Sequence, residues 1–426
     1  MSSFIRRFLP PETPDEALAT VRCDFLSAVA KGTAAVGGAA TAAIIAKKTL
    51  GADDYVVAML YAAGSVGQLL TVWVPRLIGR RGTIRFIFRV ETLAMALMAF
   101  SAFMSTSWGF VATLAGAYAL LSLLPPAFSR VYRQNYPTVI RGRLYAFARI
   151  GSTAATTICG FVVGRILDVQ PGAYRWVYPA VGAAGLMGSF IFRRIRVRDE
   201  HAITNGVTTG RLRVYWQILA ADRRFLVFLI DWAIFGFSNM MMEPVRAIYV
   251  TDARFALGAD YLQSILILLV IPQATVLLTL RLWGAMLDRY PVHFVRMWQQ
   301  SFGALGVIVY ILAPRLQWLY VAAIFQGFHQ AGAQLTWTLG MMEFAPRHQV
   351  TEYTTIHVLF TGIRGLIAPS VAAGLLALVG VHATFGVGLS GMTLSILLFA
   401  AFPRISERWP VPEGAPTPRR LRRIGA

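Results

Sequence analysis

The side chains of this chain that could do chemistry are a few ionisable and polar residues standing inside long apolar runs. Lys31 and Asp231 come first. Lys31 lies seven residues after Asp24, which opens Asp24-Phe25-Leu26; Asp231 lies seven after Arg224, which opens Arg224-Phe225-Leu226. Each stands about 10 Å or slightly more inside its run at a helical rise of 1.5 Å per residue. A charge at that depth costs a few kcal/mol unless it faces the protein interior. An ion pair between the two that opens and closes would act as a gate, and protonation of Asp231 would release it. A static pair, or a Lys31 that reaches back to the interface, is the plainer alternative.

Arg364 lies about 17 Å into its run. Its guanidinium stays charged, so it requires a carboxylate, carbonyls or an anionic ligand; Glu91 is an acid available as a static partner. His357 lies seven residues earlier on the same helical face. Gln326, His329, Gln330 and Gln334, extended by Trp337, recur at three and four residues and form one polar stripe. Such a stripe faces protein or water, not lipid. His329 can bind a ligand or take a proton near neutral pH, and hydrogen bonding between helices is the alternative. Asn239 and Tyr118 are further polar contacts, with core packing the plainer reading of Tyr118. Glu243 and Arg246 read as an intrahelical ion pair, with Pro244 bending the helix between them. Arg149, closer to the end of its run, reads as snorkelling. Met240, Met241 and Met242 point in different directions on a helix and read as packing, not as a soft-metal site.

The elements that position these residues follow from composition. Of 426 residues 56% are hydrophobic and 14% charged, against about 25% charged in soluble domains. A bilayer core takes about 20 apolar residues per helix, so the length admits about twelve spans. The expected fold is an all-α membrane protein whose spans run over about 24–46, 54–75, 84–105, 108–132, 144–167, 174–192, 225–249, 260–285, 293–313, 317–343, 353–379 and 381–402. Thr13 caps a helix that Pro14 opens and Glu16 completes, and Pro125-Pro126 kinks the fourth span. The formal charge of +20 does not point to nucleic acid. Its arginines fall in alternate loops and at both ends, the positive-inside pattern, which places both termini in the cytoplasm. Lys47-Lys48 departs from it and is offset by Asp53-Asp54. Cys23 and Cys159 have no ligand spacing around them. Nucleophile elbow, zincin and Walker motifs are absent from the sequence, so no cofactor, metal or catalytic group is expected.

The layout repeats. The matched openings at Asp24 and Arg224 are followed by Arg80-Arg81-Gly82 and Asp288-Arg289-Tyr290, then by Asn135-Tyr136-Pro137 and Phe344-Ala345-Pro346, then by Arg149 and Arg364. The division is a leader over 1–21, a six-helix bundle over 22–192, a basic linker over 193–224, a second bundle over 225–403 and a basic tail over 404–426. With this layout, Gly284-Ala285-Met286-Leu287-Asp288-Arg289 resembles the G-x-x-x-D-R loop of the major facilitator superfamily. In the first half Arg76-Leu77-Ile78-Gly79-Arg80-Arg81-Gly82 stands at the corresponding place, with arginine where the family has Asp.

The resemblance covers essentially the whole chain. It implies a secondary transporter of the cytoplasmic (inner or plasma) membrane working by alternating access, with spans 1, 4, 7 and 10 around a central cavity. Gly284, Asp288, Arg289 and Arg81 would form its conformational loops. The expected partners are a small-molecule substrate, protons and the bilayer; Lys31, Arg364 and His329 hint at an anionic solute. A membrane sensor or partner subunit that keeps the fold without transport is the alternative.

Overall fold

The computed structural model describes residues 6, 9, 13–78, 82–137, 140–197, 212–255, 257–346, 349–406 and 408–410, and among them every regular element is a helix. The chain forms two compact units, one of Met1–Thr209 with Ala259–Val270, the other of Gly210–Gly258 with Ile271–Ala426.

In the first unit the opening apolar run is not one helix. It is α1 (Asp15–Ala35) and α2 (Ala39–Lys48), separated at Val36-Gly37-Gly38. Adjacent glycines favour a break, and Gly38 is extended (φ −70°, ψ −178°) as it caps α2. The Tyr118 hydroxyl donates to the Gly37 carbonyl at 2.6 Å, which satisfies an acceptor beside the break. Thr13 is not the cap of α1: Pro14 takes that position in an extended conformation, and the helix starts at Asp15. Lys47 pairs with Asp54 at 2.7 Å, while Asp53 caps α3 (Asp54–Leu70) by accepting from the Val56 amide at 2.8 Å. There follow α4 (Val74–Ile78), α5 (Thr83–Phe100), α6 (Ser107–Leu121), α7 (Pro125–Asn135), α8 (Arg141–Val169) and α9 (Tyr174–Phe192). The proline pair breaks the fourth span as its chemistry requires, since proline opens α7 where no helical N–H is needed.

The second unit begins with α10 (Leu212–Ala221) and α11 (Arg223–Thr251). Asp222 caps α11 through the Phe225 amide at 2.9 Å and accepts from the Tyr353 hydroxyl at 3.0 Å. The short α12 (Tyr261–Ile265) and a π-helical turn over Leu266–Val270 group with the first unit before the chain continues into α13 (Ile271–Arg289). Then come α14 (Val292–Leu312), α15 (Trp318–Leu339) and α16 (Val350–Ser406), which Gly380 turns at a φ of 80°. A side chain there would be strained, so glycine makes the turn possible.

Packing within each unit follows one scheme. In the first, α1 lies on α8 and α9, α3 on α6, and α5 on α6 and α9; in the second, α11 lies on α16, α13 on α15, and α14 on α15 and α16. Small residues allow the closest approaches. A Cβ on Gly32 would stand 2.2 Å from the Ser152 carbonyl oxygen, and one on Gly67 2.0 Å from that of Ala119. Leu278 and Leu378, 80% and 83% exposed, leave apolar surface that suits hydrocarbon rather than water. Eight helical stretches among the described residues are long and apolar enough to cross a bilayer, one of them the double-length Glu352–Ser406. The chain is a multi-pass membrane protein.

The α12 segment is held to the first unit by polar contacts. The Asp168 carboxylate accepts from the Tyr261 and Leu262 amides at 2.7 and 3.1 Å. Thr49 and Tyr261 join their hydroxyls at 2.8 Å, and Lys48 donates to the Ala259 carbonyl. Asp260 and Gln263 complete a capping box. Asp168→Ala removes a carboxylate from a helix N-terminus, and is expected to lower stability by about 1 kcal/mol. Denaturant titration of the protein in detergent measures it; an unchanged midpoint would show that the other contacts suffice.

Candidate functional site

In the first unit, α1 carries Asp24 and Lys31 two turns apart, on one face. Asp24 is buried and accepts from the Tyr132 hydroxyl at 3.1 Å and the Tyr136 hydroxyl at 2.8 Å. Lys31 reaches Glu91 of α5, with Nζ 2.6 Å from the carboxylate. The ammonium also lies 4.4 Å from the ring centroid of Phe192 and 5.1 Å from that of Phe128, where the aromatic faces favour a cation. For Lys31 the sequence offers Asp231 as a gating partner, and for Arg364 it offers Glu91 as the static alternative to an anionic ligand. The structure pairs Lys31 with Glu91 instead, because α9 packs on both α1 and α5 and brings the two side chains together. Tyr118 is committed to the Gly37 carbonyl.

The second unit gathers the other buried charges. Asp231 is fully buried; its carboxylate accepts from Ser395 Oγ at 2.6 Å and from Gln300 Nε2 at 3.1 Å. Both donors are neutral, so they stabilise the carboxylate without cancelling its charge. The next residue, Trp232, is the centre of a basic cluster. The Arg296 guanidinium stacks 3.3 Å from the ring centroid of Trp232, that of Arg364 lies 5.8 Å from it, and the His357 ring lies at 4.7 Å. Arg364 donates to the Trp232 carbonyl at 2.6 Å and to Thr361 Oγ1 at 3.0 Å, and Arg296 to Gln299 Oε1 at 2.6 Å. Each keeps a buried Nε without a hydrogen-bond partner, and so does each ring nitrogen of His357.

Arg296 escaped the sequence reading. It stands on the fifth residue of α14 and reads there as one more loop arginine, yet it is 1% exposed. Its signal was the spacing Arg296, Gln299, Gln300: three polar residues on one face of an apolar helix.

The polar stripe on α15 divides. Gln326 takes a hydrogen bond from Arg246, whose Nε also donates to the Met242 carbonyl at 3.1 Å. The hydrogen bonds of Arg246 thus cross to α15 and return to its own backbone, where an ion pair with Glu243 was expected. His329 Nδ1 lies 2.5 Å from Gln299 Nε2. Gln330 is half-buried and Gln334 exposed, while Trp337 lies 5.6 Å from the His357 ring. Asn239 is half-buried with an unpartnered side-chain oxygen.

Neither a family model nor a curated protein matches this sequence. Solved structures do match its fold. The nucleoside transporter NupG, in a mutant form, superposes with a TM-score of 0.71 at 14% identity, covering 91% of this chain and 99% of its own. A POT family transporter in complex with 5-aminolevulinic acid gives 0.72 at 11% identity, over 91% and 96%. A D-xylose-proton symporter gives 0.66 at 13% identity, over 95% and 100%. This is the major facilitator fold. Within it, Gly284 lies half-buried in α13 and Arg289 exposed at the end of that helix. Asp288 is a residue of the same helix, and Arg81 lies outside the described residues.

Proposed function

We propose that this chain is a secondary active transporter that moves a small solute across the cytoplasmic membrane by alternating access. The observation that carries the reading is that both units pack their helices by one scheme and each encloses ionised side chains at mid-helix depth. Charges at that depth are costly and are kept where they serve a pathway. A pair of homologous bundles is the arrangement that rocks around such groups. The bundles are 22–192 and 225–403, joined by the basic linker 193–224. Twelve spans result when Tyr174–Phe192, Val292–Leu312 and Trp318–Leu339 are added to the apolar stretches and Gly380 divides α16. Both termini are cytoplasmic by the placement of arginine.

Asp231 is the proposed proton carrier, with Arg364, His329 and His357 as polar groups of the same unit and Lys31–Glu91 as the ion pair of the other. The test is uptake into proteoliposomes under an imposed proton gradient, with a panel of radiolabelled solutes. Asp231→Asn keeps the shape and the Ser395 contact but cannot carry a proton. Uptake driven by the gradient is expected to fall to the level of empty liposomes, while exchange without a gradient continues. Gradient-driven uptake that survives the substitution would remove Asp231 from the coupling. A wild type that moves no solute in the panel would favour the sensor or partner-subunit reading.

A further inference from the structure

The basic cluster around Trp232 has more donors than acceptors. Arg296 and Arg364 are 1% and 6% exposed, and each leaves Nε unpartnered. His357 leaves both ring nitrogens, and Trp232 its Nε1, in the same condition. Buried polar groups are nearly always satisfied, and an unsatisfied charged donor is the costliest exception. Against these donors stand fewer unpartnered acceptors among the described residues: Gln300 Oε1, Asn239 Oδ1 and the acceptor nitrogen of a neutral His357 ring. Asp231, on α11, supplies one negative charge against the two guanidinium groups from α14 and α16, and Ser395 and Gln300 already occupy its oxygens. His329, from α15, is turned to Gln299. With Asp231 ionised, the described side chains therefore leave a surplus of one positive charge in a place where charge must be balanced.

We propose that this cluster is a binding site for a small organic monoanion, a carboxylate on a flat apolar body. The inference rests on the transporter reading and names its substrate class. Guanidinium groups match the plane of a carboxylate and bind it through paired hydrogen bonds. A monoanion cancels the surplus; a dianion would leave an excess negative charge buried. The surroundings of the donors are aromatic: Trp232, Phe235 and Trp337 lie against Arg296 and His357, and rings of this kind take a flat apolar body. Gly236 makes room for the Arg364 guanidinium against the α11 backbone. A Cβ there would lie 2.5 Å from Arg364 Cζ and 2.6 Å from its Nε, so alanine must displace the guanidinium while the charge stays.

The full-length protein in detergent tests this by thermal shift, with benzoate as the monoanion, benzamide as its neutral counterpart, benzylammonium as the cation and phthalate as the dianion. A ligand of the folded state raises the melting temperature by mass action. Benzoate is expected to raise it at millimolar concentration, phthalate less, and benzamide and benzylammonium not at all. Arg364→Gln and Gly236→Ala are each expected to weaken benzoate binding by about tenfold or more. Gly236→Ala keeps every charge, so it reports on the site even where Arg364→Gln fails to fold. No shift with benzoate, an equal shift with benzamide, or benzoate binding untouched by Gly236→Ala would each overturn the proposal. Uptake assays separate it from the reading beneath it. Benzoate binding without uptake of any solute keeps the site and removes transport; gradient-driven uptake of a sugar with no benzoate binding does the reverse.

Discussion

Lys31→Met is expected to destabilise the protein by about 3–5 kcal/mol. The substitution strands Glu91, which is 2% exposed and whose second oxygen already lacks a hydrogen-bond partner. With the ammonium gone, an ionised carboxylate would sit among Phe128, Phe192 and the apolar faces of α1 and α5 with nothing to balance it. A folded protein has only about 5–15 kcal/mol to lose, so a change of this size approaches unfolding. The reverse substitution, Glu91→Met, is expected to cost less, because the lysine side chain is 21% exposed against 3% for its partner and a flexible ammonium can turn toward water. The double substitution Lys31→Met with Glu91→Met removes both charges together and should recover most of the loss, since buried pairs are often replaced by apolar residues at little cost. Melting of the four proteins in detergent gives the coupling directly. A double variant as unstable as Lys31→Met alone would show that the lysine acts through something other than the pair. A double variant that is stable but inert in uptake would assign the pair to the transport cycle.

Gly32→Ala is the second large effect, expected to cost about 3 kcal/mol or more. The new methyl group would lie 2.2 Å from the Ser152 carbonyl oxygen and 2.8 Å from its Cα. Both are backbone atoms of α8, so no rotamer relieves the clash and the two helices must part. That movement also pulls on Thr156, whose hydroxyl donates to the Gly32 carbonyl at 2.8 Å. Gly116→Ala is the control on the same kind of helix. Its methyl would meet only the end of Leu97 at 3.4 Å, and alanine is the better helix former by about 1 kcal/mol. The control is expected to be neutral or stabilising. A similar loss at both sites would mean that backbone entropy, not the approach of α1 to α8, sets the effect.

The apolar runs and the alternation of arginine are local patterns, and the sequence carries them openly. The proposed repeat rests on the same kind of pattern, in matched positions such as Asp24 and Arg224. What remained hidden depends on which faces of distant helices meet. Lys31 could be recognised as a buried charge, but nothing within reach of it in sequence identifies Glu91, 60 residues away, as the partner. The choice is made by the way α9 packs on α1 and α5. Arg296 was hidden differently. At the start of an apolar run an arginine ordinarily turns to water, and only the stacking on Trp232 shows that this one turns inward. The break at Gly37-Gly38 was masked by the alanines and isoleucines around it, which keep the run apolar through the interruption.

The segment Ala259–Val270 has a consequence for how the gene can be cut. By sequence it belongs to the second repeat; by packing it belongs with α2 and α8 of the first. Two fragments expressed from a break in the basic linker would therefore not divide the protein along its structural seam. The leading fragment would leave the Asp168 carboxylate without the amides it accepts from, and the trailing fragment would carry a stretch whose packing partners lie on the other polypeptide. Reassembly from such pieces has to begin by handing that stretch across, and duplication of one half alone would yield a product short of a part that the other half keeps.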